Sequence, residues 1–139
     1  MRARLLATLL IATACGASEG GPTVVDTPLE PLPDQAIPIP PAQQGLYQFW
    51  WHQVEQCAGT TRPFIHVKWF YVPGPGFFNY QSSSGLAGMW QPARNAIILA
   101  EFARNDEFVV RHEELHAILQ RTDHPTEYFV DKCGPLVTP

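Results

Sequence analysis

Residues 109–119 read Val109-Val110-Arg111-His112-Glu113-Glu114-Leu115-His116-Ala117-Ile118-Leu119, a His-Glu-x-x-His string inside an apolar run with helical spacing. On a helix, side chains four positions apart share a face, so His112 and His116 can turn both imidazoles toward one metal ion. Glu113 then lies beside that ion, placed to take a proton from a neighbouring water. Asn105 or Asp106 can cap the helix, Asp106 and Glu107 suit its positive end, and Glu107 can pair with Arg111 one turn on along a wet face. Phe108, Leu115 and Leu119 are expected to bury the helix on the histidine side, and Glu114 to face solvent. Asp123-His124-Pro125 ends the helix, and residues 126–133 return over the core.

Upstream, Arg94-Asn95-Ala96-Ile97-Ile98-Leu99-Ala100 is almost wholly apolar, which suits a central strand. Its expected partner, joined through residues 91–93, is Gly85, Leu86, Ala87, Gly88, Met89 and Trp90. Two glycines and little bulk suit an edge strand whose backbone another chain can approach closely. Residues 64–72 alternate and are rich in β-branched and aromatic side chains, predicting a strand with Ile65, Val67, Trp69 and Tyr71 on one face. His66 and Lys68 fall on its other, solvated face. Pro73-Gly74-Pro75-Gly76 breaks that strand, and residues 77–84 follow as a loop of exposed aromatic character. Residues 46–57 place apolar side chains at 46, 47, 50, 51, 54 and 57, a core-packing helix stopped by Gly59, with His52 in a structural role. The expected class is therefore α+β: an N-terminal helix, a short mixed sheet of about three strands, the His-Glu-x-x-His helix and a short C-terminal return.

Composition sets the limits of that domain. Seven of the 14 prolines lie between Pro22 and Pro41, so residues 15–44 are expected to form an extended, proline-rich tether and residues 45–139 the globular part. Roughly 95 residues give a core of limited stability, and a covalent staple would help. The net charge of -4 makes the chain a poor nucleic-acid binder. Residues 1–14 have the form of a signal peptide, with Arg2 and Arg4 before an apolar run too short to span a bilayer. The three cysteines divide accordingly: Cys57 and Cys133 bracket the globular part and are expected to form a disulfide, leaving Cys15 in the leader region.

The leader resembles a bacterial lipoprotein lipobox, with Ala12 where leucine is usual. That resemblance implies a lipidated Cys15 and anchoring in the bacterial cell envelope, or secretion if Cys15 is left unmodified. Two imidazoles plus one further protein ligand leave a position for water, the donor set of a catalytic zinc site. Residues 96–129 resemble the zincin metallopeptidases. The metzincin branch is excluded, because Leu119 and Thr122 stand where it places glycine and histidine, and Glu127 comes early for the gluzincin glutamate. The small SprT-like and WLM-type zincins fit better, since in them a third histidine follows on a short turn with an aromatic soon after, as do His124 and Tyr128-Phe129 here. The resemblance implies Zn2+ on His112, His116 and His124, with Asp123 as the competing ligand or a partner for one imidazole. It further implies Glu113 as general base, Tyr128 as a donor to the oxyanion or a core tyrosine, and the 85–90 edge as the binding site of a peptide or protein substrate. The DNA-linked role of some relatives conflicts with the leader and the acidic charge. A reading from another class is a non-catalytic zinc-binding envelope lipoprotein using the same site.

Overall fold

The structure, a computed structural model, describes residues 29–139. The leader, Cys15 and the first half of the tether lie outside the described residues. In chain order the elements are β1 (Ile37–Pro38), α1 (Gly45–Ala58), β2 (Lys68–Val72), β3 (Phe78–Tyr80), β4 (Ser83–Leu86), β5 (Gly88–Gln91), β6 (Ala96–Ala100), α2 (Glu107–Leu119), a wide π-type turn at Glu127–Lys132 and α3 (Gly134–Val137). The α+β class stands. The mixed sheet has four strands in the order β1-β2-β6-β5, and β3 and β4 form a separate two-stranded ribbon. Among the described residues no helix is long and apolar enough to cross a membrane.

The apolar run at 96–100 is the middle of the sheet, as its composition predicts. β6 runs parallel to β2 and antiparallel to β5, and all five of its residues are fully buried. Total burial requires cover on both faces. Ile97 and Leu99 face α1 and α2, while Ala96, Ile98 and Ala100 face the β3-β4 ribbon. The ribbon corrects the expectation of an exposed loop at 77–84: Phe78 and Tyr80 are buried beneath it, and Phe77 alone stays out, edge-on to Phe102. On the side of β2 expected to be solvated, His66 and Lys68 are exposed, while Phe70 and Val72 are half-buried against the ribbon cluster.

Two further boundaries move for local reasons. The strand expected at 64–72 begins only at Lys68, because Pro63 starts a 3₁₀ turn closed by His66 N–H to the Pro63 carbonyl at 3.1 Å. Ile65 consequently points outward, 86% exposed. Within the described part of the proline-rich stretch, the chain does not stand off as a tether: Ile37 and Pro38 pair antiparallel with Tyr71 and Phe70, and Ile39 is buried. Proline lacks one donor but keeps its carbonyl, so it can still serve on the outermost strand of a sheet. Helix α1 follows its sequence signals. Tyr47, Trp50, Trp51 and Val54 are buried, and Gly59 at φ 68° closes it with an N–H to the Glu55 carbonyl.

The candidate metal centre

Helix α2 is capped by Asp106, whose Oδ1 accepts from the N–H groups of Phe108 and Val109 at 3.0 and 3.2 Å. It packs against α1 and the sheet, so beyond the exposed Glu107 and the half-buried His112 its polar residues are buried. Phe108 was expected in the core, but it packs into neither core cluster and stands half-buried. Arg111 does pair with Glu107 at 2.9 Å, yet it is only 7% exposed and also donates to Gln53 of α1 at 2.7 Å. Glu114 was expected in solvent and is fully buried, with neither carboxyl oxygen hydrogen-bonded among the described residues. Burial drives its pKa well above the usual carboxylate value, against the pull of Arg111.

The helix stops at Gln120, which takes a left-handed conformation at φ 55° and turns the chain back. That reversal brings His124 to the two helical histidines. One ring nitrogen from each of His112, His116 and His124 falls within 4.8 Å of the others, a group that can hold a metal ion. The rings meet with centroids 4.7 to 5.0 Å apart. A tetrahedral ion with bonds of about 2.0–2.1 Å sets its ligand atoms roughly 3.3 Å apart, so the spacing suits such an ion.

Hydrogen bonds fix which nitrogen faces inward. His116 Nδ1 lies 2.7 Å from the Arg121 carbonyl, and His112 Nδ1 lies 3.4 Å from the Val137 carbonyl. A carbonyl can only accept, so both Nδ1 atoms carry the proton and both Nε2 atoms present lone pairs. His112 Nε2 and His124 Nε2 face each other at 2.9 Å. Burial lowers the His116 pKa to about 4 and also lowers that of His112, where the neighbouring His124 adds to the effect. Both are thus neutral at neutral pH, the form that binds metal.

Compared with family models, with curated proteins and with solved structures, the chain matches none of them. The functional reading therefore rests on the residues themselves.

Asp123, the competing ligand, does not join the converging group. Its two oxygens take Arg121 Nε at 2.8 Å and Nη2 at 2.6 Å, a bidentate clasp that closes the loop carrying His124. Both partners are more than half exposed, so the clasp contributes little energy of its own. His124→Ala is accordingly expected to remove metal binding at micromolar metal, whereas Asp123→Asn should weaken it only a few-fold. Metal stoichiometry after dialysis checks both, and the reverse order would make Asp123 the ligand.

The aromatic residue of the site is Phe129, not Tyr128. Phe129 is 6% exposed and its ring lies 5.1, 4.7 and 4.7 Å from those of His112, His116 and His124. Tyr128 packs against the edge of the core with Lys132 Nζ 4.6 Å over its ring, and it lines neither cleft beside the histidines. Phe129 stands four residues before the buried Cys133, a spacing that marks an inward face. Val137 also lay beyond the sequence reading, because α3 has only four residues and no periodicity to read.

Glu113 is 7% exposed, and burial pushes its carboxyl up to about 8, opposed by a hydrogen bond from the Trp90 backbone. It lies against the edge strand. The stretch expected as one strand at 85–90 divides into β4 and β5 at Ala87, whose carbonyl accepts from Ala100 N–H at 2.7 Å. β5 is the edge of the sheet, as expected, but Gly88 serves a neighbour within the chain. A Cβ there would stand 2.9 Å from Glu113 Cγ, 3.1 Å from Glu113 Oε1 and 3.1 Å from Val109 Cγ1. Gly88→Ala should therefore displace the Glu113 carboxyl while leaving the three histidines in place. Its expected signature is metal content near that of the parent with any Glu113-dependent activity lowered at least about 10-fold, since misplaced catalytic groups lose rate steeply.

Proposed function

We propose that the chain is a zinc-dependent metallopeptidase that cleaves extended peptides at the edge of its sheet. The observation that carries this reading is the convergence of three imidazoles with a buried glutamate lying beside them against the edge strand β5. His112, His116 and His124 would hold the ion, and the His-Nδ1 bonds to the Arg121 and Val137 carbonyls orient the helical pair. A zinc ion in this donor set supplies Lewis acidity and lowers the pKa of a water beside it. Glu113 takes the proton of that attacking water and passes it to the departing amine. The dry surroundings of Glu113 favour its protonated form, and a cation at the histidines favours the carboxylate, so the group is poised to cycle between the two. β5 is an edge of the sheet among the described residues, and a peptide can pair along its outer side and lie across the histidines.

Zinc is favoured because three neutral imidazoles suit a borderline ion and leave an open position. The Cys57–Cys133 disulfide agrees with an oxidising compartment and hence with export, with lipid anchoring through Cys15 as the proposed location. The test is metal content together with hydrolysis of an unfolded protein before and after chelation. About one equivalent of zinc is expected, with hydrolysis lost to the chelator and restored by zinc. A content below about half an equivalent, or hydrolysis indifferent to the chelator, overturns the proposal.

A further inference from the structure

A groove of about 670 Å³ runs between the first half of α1 and the turn that leads into β2, and it shares no residue with either cleft beside the histidines. Its volume falls within the range of roughly 300–1,000 Å³ usual for small-molecule sites. Trp51, Phe64 and Trp69 line it, with Phe64 edge-on to Trp51 at 5.7 Å and tilted against Trp69 at 5.8 Å. Ile65 stands exposed on its rim.

Charge on this wall has one sign. Arg62 and Lys68 line the groove, both exposed, and no aspartate or glutamate does, in a chain whose net charge is -4. Arg111, Arg121 and Lys132 are each paired with a carboxylate, whereas Lys68 forms no ion pair among the described residues. Arg62 spends its Nε on the Ile118 carbonyl at 3.2 Å, a neutral partner. Glu55 lies off the wall, and its oxygens accept from the Arg62 backbone N–H and His52 Nδ1. α1 also starts on the groove without a side-chain cap and with no acidic residue in its first turn, which adds to the same sign.

We propose that this groove binds a single long acyl chain ending in a carboxylate, a fatty acid, independently of the histidine site. Its methylenes leave water against aromatic carbon, and its carboxylate meets Lys68 and Arg62 at the exposed mouth. A peptide fits less well, because its backbone groups would lose water with no strand edge to pair them. The β2 backbone here is already used: Lys68 N–H donates to the Asn95 carbonyl at 3.0 Å, and the Trp69 carbonyl accepts from Ile39 N–H at 2.8 Å. A bilayer fits less well too, since Ile65 is the one large apolar side chain of the wall that stands exposed.

The test titrates the full chain by calorimetry with dodecanoate and with dodecyltrimethylammonium, which has the same tail and the opposite charge, both below their micelle concentrations. Saturable one-to-one binding of dodecanoate is expected, with the cation weaker by at least about 10-fold, the scale of a lost charge-assisted contact. Lys68→Glu should close that gap, and Ile65→Asp should weaken both ligands. Zinc content and circular dichroism of the two variants should match the parent. His124→Ala should bind dodecanoate as the parent does, which separates the groove from a carboxylate taken by zinc. Absence of saturable binding, equal affinity for the two amphiphiles, indifference to Lys68→Glu, or loss of binding in His124→Ala overturns the proposal. So does sedimentation with phosphatidylglycerol vesicles by a chain that ignores monomeric dodecanoate, the mark of a membrane-facing surface instead.

Discussion

Replacing Glu113 with Gln is expected to lower peptide hydrolysis about 1000-fold, within the range for a positioned general base, while zinc content stays that of the parent. The two outcomes come from different groups. Glu113 supplies none of the three converging nitrogens, so the amide leaves the donor set intact. Glutamine has nearly the volume of glutamate, and the space for it exists because position 88 is glycine. Its amide oxygen can keep the hydrogen bond from the Trp90 backbone. What the amide cannot do is take up a proton from water and deliver it to an amine. Melting temperature and zinc content therefore control for folding, and rate alone reads the chemistry. Equal hydrolysis by parent and variant would leave a zinc-binding module in place of an enzyme.

How much of this site was legible depends on whether a local pattern encodes each part. His112, Glu113 and His116 are fixed by helical spacing on one element, and Asp106 caps it as its residue type suggests, whereas the helix ends at Gln120, before the Asp123-His124-Pro125 stop expected of it. His124 is legible because only a short chain reversal separates it from His116. Gly88 reads as a glycine that something approaches closely, but the approaching group comes from α2, a tertiary fact that no local pattern carries. Glu114 was misjudged for the same reason. A glutamate beside a motif looks solvated until α1 is known to cover that face. The β3-β4 ribbon was missed because Pro73-Gly74-Pro75-Gly76 and three serines mask two short strands whose only apolar anchors are Phe78, Tyr80 and Leu86. That ribbon explains how a five-residue strand such as β6 can be buried on both faces in so small a domain.

The disulfide between Cys57 and Cys133 reaches further than the stability of the fold. The two positions are separated by 76 residues, and the chain-entropy model assigns a loop of that order about 4 kcal/mol. For a domain of this size, such a loss lowers the melting temperature by roughly 15 °C or more. The double variant Cys57→Ala/Cys133→Ala, or reduction by a dithiol, is expected to show that drop. The bond also ties α1 to the segment that flanks the histidines. Phe129, against all three imidazoles, lies four residues before Cys133, and Val137, whose carbonyl accepts from His112 Nδ1, lies four residues after it. α3 packs on α2 and on the Glu127–Lys132 turn, so the bond anchors both beside the histidines. Loosening it should therefore weaken zinc binding at temperatures where α1, α2 and the sheet are still folded. Zinc affinity by competition with a chromogenic chelator, compared in oxidised and reduced protein well below the melting transition, reads this directly. At least a ten-fold weaker affinity with unchanged far-ultraviolet circular dichroism is expected; unchanged affinity would confine the disulfide to global stability.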